Sequence, residues 1–446
     1  MRYYMVSLGC PKNTVDAESI GLLLNRAGYR PVVDPEDADI LLVNTCGFIE
    51  AARAESLEVL SKLAQSKRPN QRLVAAGCWA QREGEGLTDK VDGLDGILGT
   101  RRWADIVPFL GQLDRNQTMT LTGNPTAPYR TLVPRTAIQG PSSYLMIADG
   151  CSATCAFCAI PLIKGPLRSR SVDDILADAR LLAAQNVSEI VLIAQDTTAF
   201  GRDRGESDAL AVLLDALVAA VPQVPWIRVM YAFPQHISQR LIETMARYPQ
   251  ICHYVDLPLQ HAHPAVLKRM RRPADVLQVR QLVSRLREAM PDVAIRTSFI
   301  VGYPGETETE FRSLVRFVQD VRFDKVGVFT YSLEEGTAAF GLGDPVPQQV
   351  KVERYDRLMR TQQSISLARN QEQIGRRMMV LVEGVGEAES VDPAQSPMPI
   401  SVGRSYRDAP EIDGLVLIEG HIEPGQMVPV QITEAMEYDL VGVRCE

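Results

Sequence analysis

Three cysteines, Cys151, Cys155 and Cys158, stand in G-C-S-A-T-C-A-F-C-A-I-P at intervals of four and three residues. Thiols crowded into one loop of a long chain are better read as metal ligands than as packing residues. A structural zinc site is the plain alternative. Zinc clips close with four ligands, usually as paired C-x2-C units, and no second pair lies anywhere in the sequence. Three thiolates suit an iron-sulfur cluster with four iron corners, because one iron stays free of protein and open to a small molecule. A second set is dispersed: Cys10, Cys46 and Cys78, in L-G-C-P, N-T-C-G and A-G-C-W, each directly after an apolar run. Cysteines packed in a core are the alternative for these.

Both sets need elements to position them. Residues 1–112 alternate short apolar runs (Y-Y-M-V-S-L, A-D-I-L-L-V-N, R-L-V-A-A-G, D-G-I-L-G-T) with helical patterns at Asn13 to Ala27 and Ile49 to Leu63, which predicts a small parallel α/β domain. The carboxyl ends of parallel strands share one edge, where ligands bind, so thiols distant in sequence can meet there. Residues 113–140, rich in Thr, Pro, Gly and Asn, predict a linker with one short strand. In residues 141–370 six apolar runs alternate with helix-length segments such as Val172 to Ala184, Leu210 to Val221 and Val276 to Ala289. Six strand-helix units predict a partial parallel barrel with functional residues in the loops after its strands, and the cysteine triplet follows the first strand. A long helix from about Gln348 to Ile374 leads to residues 371–446, whose short strands broken by Gly and Pro predict a small antiparallel β-barrel.

Length, 446 residues, allows about three domains. The start of the chain lacks a signal-peptide pattern, and no apolar run approaches the roughly 20 residues that span a bilayer, so a cytoplasmic location and no membrane partner are expected. Net charge is −8, unevenly spread: residues 371–446 hold five Arg, no Lys and fourteen Asp or Glu, a net of −9. Such a tail repels phosphate backbones and suits a basic partner.

C-x3-C-x2-C after the first strand of a six-unit barrel resembles the radical S-adenosylmethionine superfamily. The resemblance implies a four-iron cluster on Cys151, Cys155 and Cys158 whose open iron chelates S-adenosylmethionine, the source of a deoxyadenosyl radical. It also implies cofactor contacts from Phe157 and from Gly302, Pro304 and Gly305 in I-V-G-Y-P-G-E-T. Simple loop packing for Phe157, and a plain strand-to-helix turn for the glycines, are the alternatives.

G-C-P-K-N, N-T-C-G-F and A-G-C-W resemble the amino-terminal domain of the methylthiotransferase family, and the tail resembles a TRAM domain. By that match Cys10, Cys46 and Cys78 hold a second four-iron cluster, and S-adenosylmethionine serves as methyl donor as well as radical source. One branch of the family acts on tRNA adenosine, typically with G-C-Q-M-N and P-V-Q-S-G-S. V-S-L-G-C-P-K-N, L-P-L-Q-H and G-R-S-Y-R-D-A-P-E-I-D-G are similar instead to the branch that modifies an aspartate β-carbon in the twelfth small-subunit ribosomal protein. That implies a basic protein substrate rather than tRNA, with an external sulfur source and electron donor. Gln195, Asp196, Gln260 and His261 end barrel strands and receive no role. Lys268 to Arg272 reads as a solvated helix end, with steering of a ligand carboxylate as the alternative, and Cys252 and Cys445 read as bystanders.

Overall fold

The computed structural model describes residues 1–114, 117–123, 140–272, 275–388 and 398–446. Most of the expected linker therefore lies outside the described residues.

The amino-terminal sheet is parallel throughout, in the order Arg30–Pro31, Arg2–Ser7, Ile40–Thr45, Arg72–Ala76, Gly96–Gly99, Met119–Leu121. Its central strand Ile40–Thr45 is buried on both faces, as its unbroken apolar run requires. Alternate residues feed two cores: Leu41, Val43 and Leu73 pack on one face, Ile40, Leu42 and Val74 on the other. The short strand anticipated in the linker, Met119–Leu121, is the edge strand of this sheet.

The six barrel strands are Ser142–Met146, Glu189–Ile193, Trp226–Val229, Tyr254–Gln260, Ala294–Val301 and Lys325–Thr330. They form two parallel three-stranded halves. The seam is crossed by hydrogen bonds from Ile227 N–H to Gln250 O (2.7 Å) and from Cys252 N–H to Ile227 O (3.0 Å). Strand residues alternate again. Ile190 and Leu192 face the surrounding helices, while Val191 and Ile193 join Met146, Trp226 and Tyr254 in the lumen. The lumen is thus packed like a core, and Val15 of the amino-terminal domain and Leu381 of the carboxyl-terminal domain also belong to it.

The tail closes into a five-stranded barrel in the order Arg377–Ala388, Met398–Ser405, Val416–Glu419, Leu440–Arg444, Met427–Ala435. Four of its pairings are antiparallel and one, Val416–Glu419 with Leu440–Arg444, is parallel. An odd number of strands cannot alternate direction all the way round a closed ring. The segment G-R-S-Y-R-D-A-P-E-I-D-G straps this barrel to the central one. Arg404 meets Glu189 at 2.6 Å, Arg407 meets Asp324 at 2.7 Å, and Asp408 meets Lys325 at 2.8 Å, all buried. Burial by itself would raise the Glu189 carboxyl, but Arg228 and Arg404 outweigh it and hold it down at about 2.

Candidate active site

In the amino-terminal sheet the parallel register sets Ser7, Asn44 and Ala76 side by side, and each cysteine follows within three residues. Cys10 caps the helix Pro11–Arg26, whose first position is a proline, and Cys78 lies in the first turn of Gly77–Glu83. The loops approach closely enough to exclude side chains. Gly9 has φ +92°, and a Cβ there would stand 2.7 Å from the Cys46 Cβ. Asn13 fastens all three loops at once. Its Nδ2 donates to Leu8 O (2.8 Å) and Thr45 O (3.1 Å), and its Oδ1 accepts from Cys78 Sγ at 3.3 Å.

The triplet is held by its own short stem. Ala148–Asp149 pairs antiparallel with Arg168–Ser169, Cys151 N–H donates to Gly165 O (3.0 Å), and Cys158 N–H to Cys155 O (3.2 Å). Gly150, at φ +72°, sits where a Cβ would lie 2.2 Å from Pro166 O. Arg272, stacked 3.9 Å from the Phe233 ring centroid, donates to Cys155 Sγ at 3.5 Å. Lys268–Arg272 is therefore divided: Lys268 and Arg271 are exposed, Arg269 pairs with Glu310, and Arg272 is buried in the site.

A cavity of about 220 Å³ opens above the triplet, lined by Cys151, Cys155, Cys158 and Phe157. Gln195, Asp196, Tyr231 and Gln260 come to it from the ends of three barrel strands, Lys12 from the first turn of the helix after Cys10, and Phe48 from the loop after Cys46. Asp196 is fixed by Thr198 Oγ1 (2.6 Å), Ala199 N–H (3.1 Å) and His236 Nδ1 (2.9 Å). Tyr231 and Gln260 carry φ +59° and +73°, conformations costly for residues with a side chain and typical of functional sites.

Gly302, Pro304 and Gly305 do not line this cavity. Their turn, with both glycines at positive φ, packs from behind: Tyr303 lies in one apolar cluster with Ala156, against which Phe157 also packs. His261 stays behind as well, fully buried, with Nε2 3.0 Å from Glu306 Oε1. His261 Nδ1 accepts from His263 N–H (2.9 Å), so the Nε2 proton is the one donated to Glu306. Glu306 also accepts from Gly302 N–H and from Arg354 (2.8 Å), which locks the turn.

The two cysteine sets are fixed to each other. Cys78 packs with Ala159 and Ile163, immediately after the triplet. Lys164 reaches Asp16 at 3.0 Å and Asp149 at 3.5 Å, joining the helix that starts at Cys10 to the residue before Gly150. Cys252 is buried in the barrel lumen and Cys445 lies beside Arg377, both apart from the two sets.

Burial pushes up the Cys46, Cys78, Cys151 and Cys158 thiols, Cys158 to about 12. Such thiols keep their protons at neutral pH unless a metal takes the proton's place. Two sets of three soft donors, each in a preformed cradle of glycine and hydrogen bonds, fit iron-sulfur clusters. Among the described residues no three acidic, His or Cys side chains converge tightly enough for a single ion, a closer approach than three thiolates that each hold a different iron.

Three family descriptions match the chain: the uncharacterized protein family UPF0004 over residues 2–99, the Radical SAM superfamily over 145–318, and the TRAM domain over 374–444. Among solved structures, the radical S-adenosylmethionine methyltransferase TsrM from Kitasatospora setae, with cobalamin and a [4Fe-4S] cluster bound, is similar with TM-score 0.55. Identity is 14%, with 88% of this chain and 81% of that one covered, a likeness of fold. Among curated proteins, the ribosomal protein uS12 methylthiotransferase RimO of Chloroflexus aurantiacus is 51% identical, over 99% of both chains. RimO of a Roseiflexus species is 47% identical, over 100% of this chain and 98% of its own. Identity at this level over nearly the whole length of both chains places the chain in the RimO family of radical S-adenosylmethionine methylthiotransferases.

Proposed function

We propose that this chain inserts a methylthio group at the β-carbon of an aspartate of ribosomal protein uS12, with Cys10, Cys46 and Cys78 holding one four-iron cluster and Cys151, Cys155 and Cys158 another. The observation that carries this reading is the single cavity bounded by the triplet on one side and by Lys12 and Phe48, from the Cys10 and Cys46 loops, on the other. When bound, the clusters and S-adenosylmethionine supply the methyl and radical chemistry. The protein supplies position. Asn13 and Gly9 hold the amino-terminal thiols in register, Gly150 shapes the triplet loop, and Arg272 places a positive charge against Cys155. Gln195, Asp196 and Gln260 present polar atoms to a bound molecule, while Phe157, Tyr231 and Phe233 wall it from water. Phe157 contacts the cofactor directly, and Gly302, Pro304 and Gly305 serve it by bracing the loop that carries Phe157.

A basic ribosomal protein is the partner the tail suits. Its Arg404 and Arg407 are sunk into the central barrel, whereas Glu387, Glu419, Glu423, Glu434 and Glu437 face solvent. That surface repels the phosphates of tRNA. The sulfur and the reducing electron come from outside the chain. The setting is cytoplasmic, where the ribosome is met; among the described residues no helix is long and apolar enough to cross a membrane.

Anaerobically purified protein is expected to carry about eight irons per chain, from two four-iron clusters. Stoichiometric zinc without iron would overturn the reading. Mass spectrometry of uS12 and of bulk tRNA after incubation tests the substrate, and a methylthio increment on tRNA alone would refute uS12.

A further inference from the structure

Lys12 stands out among the groups on the cavity because it is a buried cation in direct contact with none of the acids around it: Asp256 and Asp149 act on it only from a distance. The residue is 6% exposed, and its Nζ lies 3.4 Å from the centroid of the Tyr231 ring. No carboxylate is within ion-pair distance of it among the described residues. The acids around the cavity are spent elsewhere. Asp196 is held by Thr198, Ala199 and His236, and Asp256 by Arg296 (3.1 Å) and the Tyr231 N–H (3.2 Å). The other cavity cation, Arg272, is engaged with Cys155 and the Pro258 carbonyl. A buried ammonium without a counter-ion is costly, and contact with an aromatic face offsets only part of that cost. The site is therefore complementary to an anion that arrives from outside.

Resting on the uS12 reading, we propose that Lys12 is the specificity-determining residue that grips the side-chain carboxylate of the substrate aspartate. That carboxylate is one bond from the β-carbon. Holding it against Lys12, on the side of the ammonium turned away from the Tyr231 ring, sets the reacting carbon in the cavity that the triplet lines, on the side from which the Cys10 and Cys46 loops also reach in. The strained backbone of Tyr231 aims its ring at the ammonium, which fixes where the charge sits. A neutral substrate would leave Lys12 buried and unpaired, so selection against asparagine, or against a nucleobase, is built in.

The test uses the full chain with both clusters reconstituted, and uS12 carrying either aspartate or asparagine at the modified position. Wild-type protein is expected to prefer aspartate by about thirty-fold or more in kcat/KM, the scale of a lost partner in a buried charge pair. Lys12→Gln should bring that ratio close to one, Lys12→Arg should keep most of it, and the KM for S-adenosylmethionine should stay put in both. A wild-type preference below about threefold overturns the assignment without any variant, so it stays testable even if Lys12→Gln fails to retain iron. An unchanged ratio in Lys12→Gln overturns it too, as does a raised KM for S-adenosylmethionine, which would place the cofactor's own carboxylate at Lys12. Wild-type protein that modifies neither form of uS12 but does modify tRNA would instead strike the uS12 reading itself.

Discussion

The two cysteine sets have the same composition and opposite construction. Cys151, Cys155 and Cys158 share one loop whose stem and glycine are local, so most of their geometry is set close by in the chain, with ties to Met270 O, Arg272 and Ala339 N–H from outside it. Cys10, Cys46 and Cys78 share nothing in sequence and meet only because three parallel strands end in register and Asn13 ties the loops after them. A site of the first kind tolerates much remodelling around it. A site of the second kind is only as good as the sheet that carries it, and both depend on the Lys164 joint between them.

This contrast is sharpest in the cysteines. Cys151→Ala is expected to abolish release of deoxyadenosine from S-adenosylmethionine, whereas Cys10→Ala should spare that release and stop sulfur insertion. Release that survives the first change would break the assignment of the triplet. Next in size is Lys164→Met, which leaves Asp16 and Asp149 buried without their cation. A loss of about 3–5 kcal/mol is expected in chemical denaturation, with iron lost from both sites together. Iron lost from one site alone would show that the joint does not couple them.

Asn13→Ala removes the one side chain common to the three amino-terminal loops. About 1–3 kcal/mol is expected, with the triplet's iron spectroscopically intact and the other cluster depleted. Equal depletion of both would erase the distinction drawn here. The smallest effect belongs to Gly205→Ala: φ is +74° and ψ 14°, the left-handed region, and a Cβ there would meet nothing within 4 Å, so only the backbone penalty of about 1–2 kcal/mol applies and both clusters stay. Gly150→Ala, with Pro166 O in the way, should by contrast empty the triplet.

The sequence shows how unequal the two sets are to a reader. C-x3-C-x2-C sets three candidate ligands within eight residues. The helix expected at Val276 to Ala289 is observed over that span, and the one expected from Val172 stops a residue earlier, because apolar period and caps such as Ser171 and Asp275 are local signals. The fifth strand of the tail, Leu440–Arg444, has little local signal, because it is set by pairing with distant strands. Lys268 to Arg272 read as a solvated end because a run of charges carries no sign that one member turns inward. Lys12, Asn13 and Tyr231 went unassigned although the first two lie inside G-C-P-K-N.

Which residues are candidate ligands, the alternation of strands and helices and the acidic character of the tail are properties of residue type and spacing, and the chain alone determined them. The meeting of Cys10, Cys46 and Cys78 was decided only by the tertiary structure, as were the withdrawal of the glycine turn behind Phe157 and the seating of Arg404 and Arg407 in the central barrel. So was the isolation of Lys12 above the triplet. Each of these depends on which surfaces bury one another, and burial sets both the distance between residues far apart in sequence and the cost of a charge left without a partner.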